Sequence, residues 1–243
     1  MERRMKYMTW KDFDKYRKET DTVIIPSGAY EVYGYHMPLG SDTIIAEKVC
    51  QMVAERTGAI VGPWLEVGNS KCLYDFPGTV YIRPETLKNV YRDICETFIK
   101  WGFKKFFILN AHGANTVPLC DMLEDLMDDY GVKVAHVPWW QYMPFVSDKE
   151  TGLEDATPSG HSGEICTSCM LYIDPSQVDM SKAANTPSLF NDQFPGINRC
   201  TKLKEYTESG TIGNANLGSA EKGKKLVEKA VDNMVRFIQT WDD

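Results

Sequence analysis

Two short runs, Thr22-Val23-Ile24-Ile25-Pro26 and Lys105-Phe106-Phe107-Ile108-Leu109, carry apolar residues at consecutive positions. Successive side chains of a strand point to opposite faces, so a run without polar alternation buries both faces. Each run leads into a polar, glycine-containing loop and then a segment of helical periodicity. Strands covered on both sides and joined through helices define an α/β fold with a mostly parallel central sheet.

The remaining segments fit this frame. Thr9 caps a helix over 10–17, and Asp42 opens one over 43–56 with Ile44, Ile45, Val49, Met52 and Val53 at helical spacing and Gly58 as its stop. Residues 59–61 read as a second strand and 80–82 as an edge strand. Pro84 starts a helix to Trp101, and Asn115 caps one that ends at Tyr130 before a strand over 132–137. Residues 138–160 read as a long irregular stretch rich in Trp, Pro and Asp; loops of that length are usually functional. A helix over 162–172, an irregular region over 174–219 and a closing helix over 220–241 complete the chain. With no repeats or linkers, residues 1–243 are expected to form a single domain with helices on both faces of the sheet.

Composition narrows the function classes. A net charge of −7 argues against non-specific nucleic-acid binding, which needs a basic field. The 43% hydrophobic content supplies a core and argues against disorder, yet no apolar run approaches the roughly 18 residues of a membrane span. The charged start, Met1-Glu2-Arg3-Arg4-Met5-Lys6, leads to no apolar stretch, so no signal peptide and a cytoplasmic location are expected. Seven cysteines, including Cys166-Thr167-Ser168-Cys169, read as free thiols in a reducing compartment. A lone C-x-x-C outside a first βαβ unit is weak evidence for zinc or redox chemistry.

Sites in open parallel sheets lie beyond the carboxyl ends of the strands. Two of these ends carry unusual polar residues: 26–42, containing Glu31, His36 and Asp42, and Asn110-Ala111-His112-Gly113-Ala114-Asn115. Of the four histidines, His36 and His112 fall in these loops and His161 precedes Ser162-Gly163-Glu164. Glu31, Asp42 and His112, with Glu164 as a further candidate, would form an oxygen-rich site suited to Zn²⁺, Mn²⁺ or Fe²⁺. Local grounds equally allow Asp42 as a helix N-cap, Glu31 as a solvated carboxylate and His112 as a hydrogen bonder to a nearby carbonyl. His136, inside a strand pattern, reads as a packed core histidine.

These residues carry a family resemblance. Residues 26–42 resemble the creatininase (creatinine amidohydrolase) signature P-x-G-S-x-E-Q-H-G-x-H-L-P-x-x-x-D. Phe76-Pro77-Gly78-Thr79 is similar to a following motif, residues 110–115 to N-G-H-G-G-N and residues 161–168 to H-A-G-x-x-E-T-S. Gly210 to Gly223 is similar to the closing pattern before the last helix, so the likeness spans nearly the whole chain in order.

The resemblance implies a three-layer α/β/α domain, a homo-oligomer, often a hexamer, and at least one divalent metal. It implies Glu31, Asp42 and His112 as ligands, with Asp42 shared between two ions in two-metal members, and His161 as the proton shuttle. The second-metal histidine falls on Tyr33, and glutamates of the pattern fall on Ala114 and Cys166. Either one ion binds, or His36 and Glu164 rebuild a second site. Tyr33 is expected to donate to an oxyanion, Glu164 to orient His161 or bind metal, and Gly113, Trp139 and Trp140 to contact substrate. The implied activity is hydrolysis of a small polar cyclic substrate, with water attacking the carbonyl of a cyclic amide or formamide. Two alternatives stand beside it: ring opening of a cyclic polyol ketone such as a dehydro-inosose at a C–C bond, and a degenerate binding protein.

Overall fold

The computed structural model describes residues 2–187 and 200–242. Strands β1 (Thr22–Ser27), β2 (Ile60–Val61), β3 (Lys105–Asn110) and β4 (Lys133–Pro138) form one sheet in the order β2-β1-β3-β4, with every pairing parallel. Its helices are α1 (Trp10–Tyr16), α2 (Ser41–Thr57), α3 (Pro84–Lys100), α4 (Thr116–Tyr130), α5 (Trp139–Val146), α6 (Glu164–Ile173) and α7 (Ala220–Gln239).

The doubly apolar strands behave as their pattern requires. Ile24, Phe107 and Leu109 pack on one face with α2, α5, α6 and α7, while Val23, Ile25, Phe106 and Ile108 pack on the other with α3 and α4. The result is a three-layer α/β/α arrangement. Register aligns Ser27 with Asn110 and Asn110 with Pro138, so the loops leaving β1, β3 and β4 emerge side by side. Thr9 caps α1 with a reciprocal capping box to Asp12, and Gly58 closes α2 at φ 79°, a left-handed conformation that glycine adopts without a Cβ clash.

Several local expectations are corrected. Residues 80–82 form no strand of the sheet: Val80 bridges Tyr30 and Tyr81 bridges Gly68, one residue each, with both side chains exposed. The stretch 138–160 contains α5, whose buried Trp139, Met143 and Val146 recur at helical spacing that Pro144 disguises. Asn115 precedes α4 but makes no capping bond. In 174–219 the chain adds a small antiparallel pair, β5 (Asn185–Thr186) with β6 (Gly213–Asn214), while 188–199 lie outside the described residues. His136 is only partly buried, because β4 is an edge strand; its Nδ1 lies 3.6 Å from Cys120 Sγ. All seven cysteines are free, and among the described residues no helix is long and apolar enough to cross a membrane.

Candidate metal centre and active-site cavity

Glu31 follows β1 in a loop pinned by its own N–H to the Leu39 carbonyl at 2.9 Å. Asp42 is the second residue of α2, where the helix dipole favours a negative charge; the N-cap position belongs to Gly40, so Asp42 is not the cap. His112 lies just past β3, its N–H bonded to Asn110 Oδ1 at 3.1 Å. All three side chains are buried. His112 Nδ1 is 2.9 Å from Glu31 Oε2 and 3.3 Å from Asp42 Oδ2, and one ligand atom from each residue lies within 4.8 Å of the others.

The imidazole is held from behind. His112 Nε2 donates to the Asn69 carbonyl at 3.1 Å, which leaves Nδ1 as the atom aimed at the two carboxylates. Metal-binding histidines commonly show this arrangement, one nitrogen on a carbonyl and the other on the ion. Ser70 Oγ donates to Glu31 Oε2 at 2.6 Å. Asn115 fastens the three loops together: its amide nitrogen donates to the Gly28 carbonyl at 3.0 Å and to Ser27 Oγ at 3.1 Å, and its Oδ1 accepts from Asn69 N at 2.8 Å. A Cβ on Gly68 would stand 2.6 Å from the Gly28 carbonyl oxygen, so only glycine allows these loops to meet so closely. Asn69 and Ser70 carry no sequence signal beyond being a polar pair after a glycine.

Charge in this pocket is unbalanced in a way that a cation would resolve. Burial, then the Glu31 charge, pushes Asp42 up to about 6. Burial alone would also raise Glu31, but the neighbouring His112 holds it below its ordinary range. His112 is driven well above its usual value: burial opposes the charged form, and the two carboxylates overcome it. Asp42 Oδ2 is buried without a hydrogen-bond partner, because the nearer Glu31 takes the proton on His112 Nδ1. An orphaned carboxylate oxygen, a second carboxylate and an imidazole nitrogen form a donor set that fits a divalent ion.

Glu31 and His112 border a cavity of about 470 Å³, which Tyr33, Trp140, Gly113 and His161 also line, while Asp42 lies fully buried behind them. His161 Nε2 donates to the Val32 carbonyl at 2.7 Å, and Nδ1 lies 3.9 Å from Glu31 Oε1. Tyr33, its ring 4.8 Å from that of His161, donates its hydroxyl proton to Asp42 Oδ1. Trp140 Nε1 donates to the same oxygen at 3.2 Å. The proton expected to serve an oxyanion is therefore already engaged.

Other expected site residues lie elsewhere. His36 is buried with Nε2 on Thr167 Oγ1 at 2.9 Å and does not join the three-residue cluster. Glu164 is fully buried, but both oxygens are occupied: Lys222 Nζ donates to Oε1 at 2.7 Å, and the Glu154 and Asp155 amides donate at 2.8–3.1 Å. It ties α6 and α7 to the preceding loop, with no oxygen left to orient His161 or bind an ion. Trp139 is fully buried in the core and does not line the cavity. Cys166 borders the cavity but, like Cys169, is a protonated thiol, since burial pushes Cys166 well above its ordinary value and Cys169 up to about 12.

Comparison with known proteins agrees with this geometry. A family model described as creatinine amidohydrolase matches residues 6–238. The creatinine amidohydrolase of Pseudomonas putida is 28% identical over 96% of this chain and 94% of its own length. The 3-dehydro-scyllo-inosose hydrolase of Thermotoga maritima is 26% identical over 96% of this chain and 81% of its own. Among solved structures, a manganese creatininase superposes with a TM-score of 0.85 at 26% identity, covering 99% of this chain and 98% of that one. A Zn–Zn form of a mutant creatininase gives a TM-score of 0.87 at 25% identity with the same coverage. By its matched length, its fold and its buried Glu31–Asp42–His112 donor set, this chain belongs to the creatininase family and is a divalent-metal-dependent hydrolase.

Proposed function

We propose that this chain hydrolyses the C–N bond of a small polar cyclic amide or formamide, with Glu31, Asp42 and His112 holding a divalent ion. The observation that carries the reading is the orphaned Asp42 Oδ2 beside Glu31 and His112 Nδ1, the latter two residues lining a cavity sized for a small molecule. The ion supplies Lewis-acid polarisation of a carbonyl and acidification of water toward a pKa of about 7.

The chain's own groups do the rest. His161 is the proton carrier. Its Nε2–H is held by the Val32 carbonyl, so in the neutral ring the lone pair sits on Nδ1, near Glu31. That atom takes the proton of the attacking water and returns it to the leaving nitrogen. Leu203, Ile212 and Trp140 supply apolar wall that keeps bulk water from the reacting bond. The chain acts as one domain and, following the family resemblance, assembles as a homo-oligomer, which light scattering would test.

A second reading, ring opening of a cyclic keto-polyol, draws support from the Thermotoga maritima relative. The test is a metal-reconstituted preparation assayed against creatinine, formylated aminopyrimidines and keto-inositols. Turnover of an amide or formamide, abolished by chelation and restored by metal, is the expected result. Turnover of keto-inositols alone would replace the first reading by the second, and neither metal nor turnover would leave a binding protein.

A further inference from the structure

We infer that this site is mononuclear, and that Tyr33 and Trp140 make it so by closing one oxygen of Asp42. The inference rests on the reading that Glu31, Asp42 and His112 hold a divalent ion, and it concerns how many ions they hold.

Asp42 has two oxygens with opposite surroundings. Oδ2 faces Glu31 and His112 and has no hydrogen-bond partner. Oδ1 accepts from the Tyr33 hydroxyl and from Trp140 Nε1. A carboxylate oxygen offers about two lone-pair directions, so two donors fill it. Asp42 is left with one free oxygen, directed at the site where the other two donors converge. A second ion bound through Oδ1 would have to displace Tyr33 or Trp140.

Neither of those groups can stand in as a ligand. An indole N–H has no lone pair to offer, and a phenol that keeps its proton is a weak donor to a metal. Of the residues the sequence offers for a second site, Glu164 is engaged by Lys222 and Cys166 Sγ by the Gly160 carbonyl, and His36, held on Thr167 through Nε2, keeps an unpartnered Nδ1 that does not join the cluster. Among the described residues, no fourth His, Cys, Asp or Glu joins the cluster. The same fold holds a zinc pair in the Zn–Zn creatininase with which this chain superposes, so the difference lies in side chains and not in architecture. Tyr33 and Trp140 are thus positioning residues: they fix Asp42 as a one-oxygen ligand and occupy the space beside it.

The test is metal stoichiometry. The full chain, stripped with a mild chelator and saturated with Mn²⁺ or Zn²⁺, is desalted and its metal measured by elemental analysis. One ion per chain is expected, and the Mn²⁺ form should give the paramagnetic resonance pattern of an isolated ion. Two ions per chain, or a spin-coupled Mn²⁺ pair, would overturn the inference while leaving the hydrolase reading intact. No bound ion at saturation would overturn both. Tyr33→Phe should still take one ion but hold it about 10-fold more weakly, since Asp42 loses a partner that orients it. Tyr33→His exchanges the phenol proton for an imidazole lone pair and should admit a second ion. If a folded Tyr33→His protein stays at one ion, the blocking role given to Tyr33 is wrong; if it does not fold, the wild-type count decides.

Discussion

Lys222→Met should destabilise the protein by about 3 kcal/mol without changing its metal content. Lys222 Nζ donates to buried Glu164 at 2.7 Å, to the Leu217 carbonyl at 2.9 Å and to exposed Glu154 at 2.7 Å. Removing one partner of a buried ion pair costs about 3–5 kcal/mol, because the other charge stays behind without compensation. Two features place this case at the low end. The Lys222 side chain keeps 14% exposure, and Glu164 retains the backbone N–H groups of Glu154 and Asp155. The assay is urea unfolding followed by circular dichroism. With a slope of about 2 kcal/mol per molar, the midpoint should fall by about 1.5 M at unchanged slope. Adding Glu164→Gln to Lys222→Met removes the stranded charge and should recover about 1 kcal/mol. A midpoint shift below about 0.3 M would refute the buried-pair reasoning. Loss of metal in Glu164→Gln at undiminished stability would return Glu164 to the site.

Three further outcomes are expected. Ser70→Ala removes the donor to Glu31 Oε2 and should weaken metal binding by about 10-fold in a chelator competition, with the fold intact by circular dichroism. His161→Ala should keep its metal and lose about 10²- to 10⁴-fold in turnover; simultaneous metal loss would make it a ligand instead. Burial holds His36 down at about 4, so on acidification the unfolded chain, with its ordinary value near 6.5, takes up the proton first. The stability from this group is complete above pH about 6.5 and is lost as pH falls toward 4, about 2 kcal/mol of it between pH 7 and 5. His36→Gln should flatten the urea-midpoint profile over that interval, and an unchanged profile would show that His36 does not titrate as described.

The layered fold was legible because its determinants are local and repeated. Consecutive apolar residues at 22–26 and 105–109 admit no exposed face, and helix periods ending in Gly58, Gly102 and Gly131 mark where the chain turns back. α5 was not legible, since a proline within eight residues looks like a break until the tertiary core buries Trp139, Met143 and Val146 on one side. The edge strand over 80–82 failed for the opposite reason: its β-branched and aromatic residues are strand-like, but no neighbouring strand is there to pair with more than one residue at a time.

The sequence by itself determined which residues could meet. Glu31 and His112 sit in loops beyond the ends of strands and Asp42 at the start of the helix that follows, and parallel register brings those strand ends side by side. Only the tertiary structure decided what each polar group does on arrival. Glu164 and His36 have suitable chemistry, but Lys222 and backbone amides occupy both Glu164 oxygens, and His36, held by distant Thr167 through Nε2, does not join the cluster. Ser70 and Asn69 enter it with no motif to announce them. Tyr33 appears in sequence as a missing ligand; in three dimensions its proton lies on Asp42 Oδ1 beside that of Trp140, which is 98 positions from Asp42 along the chain. Hydrogen bonds act over about 3 Å, and which atoms come that close is settled by packing between segments, not by the spacing of residues within them.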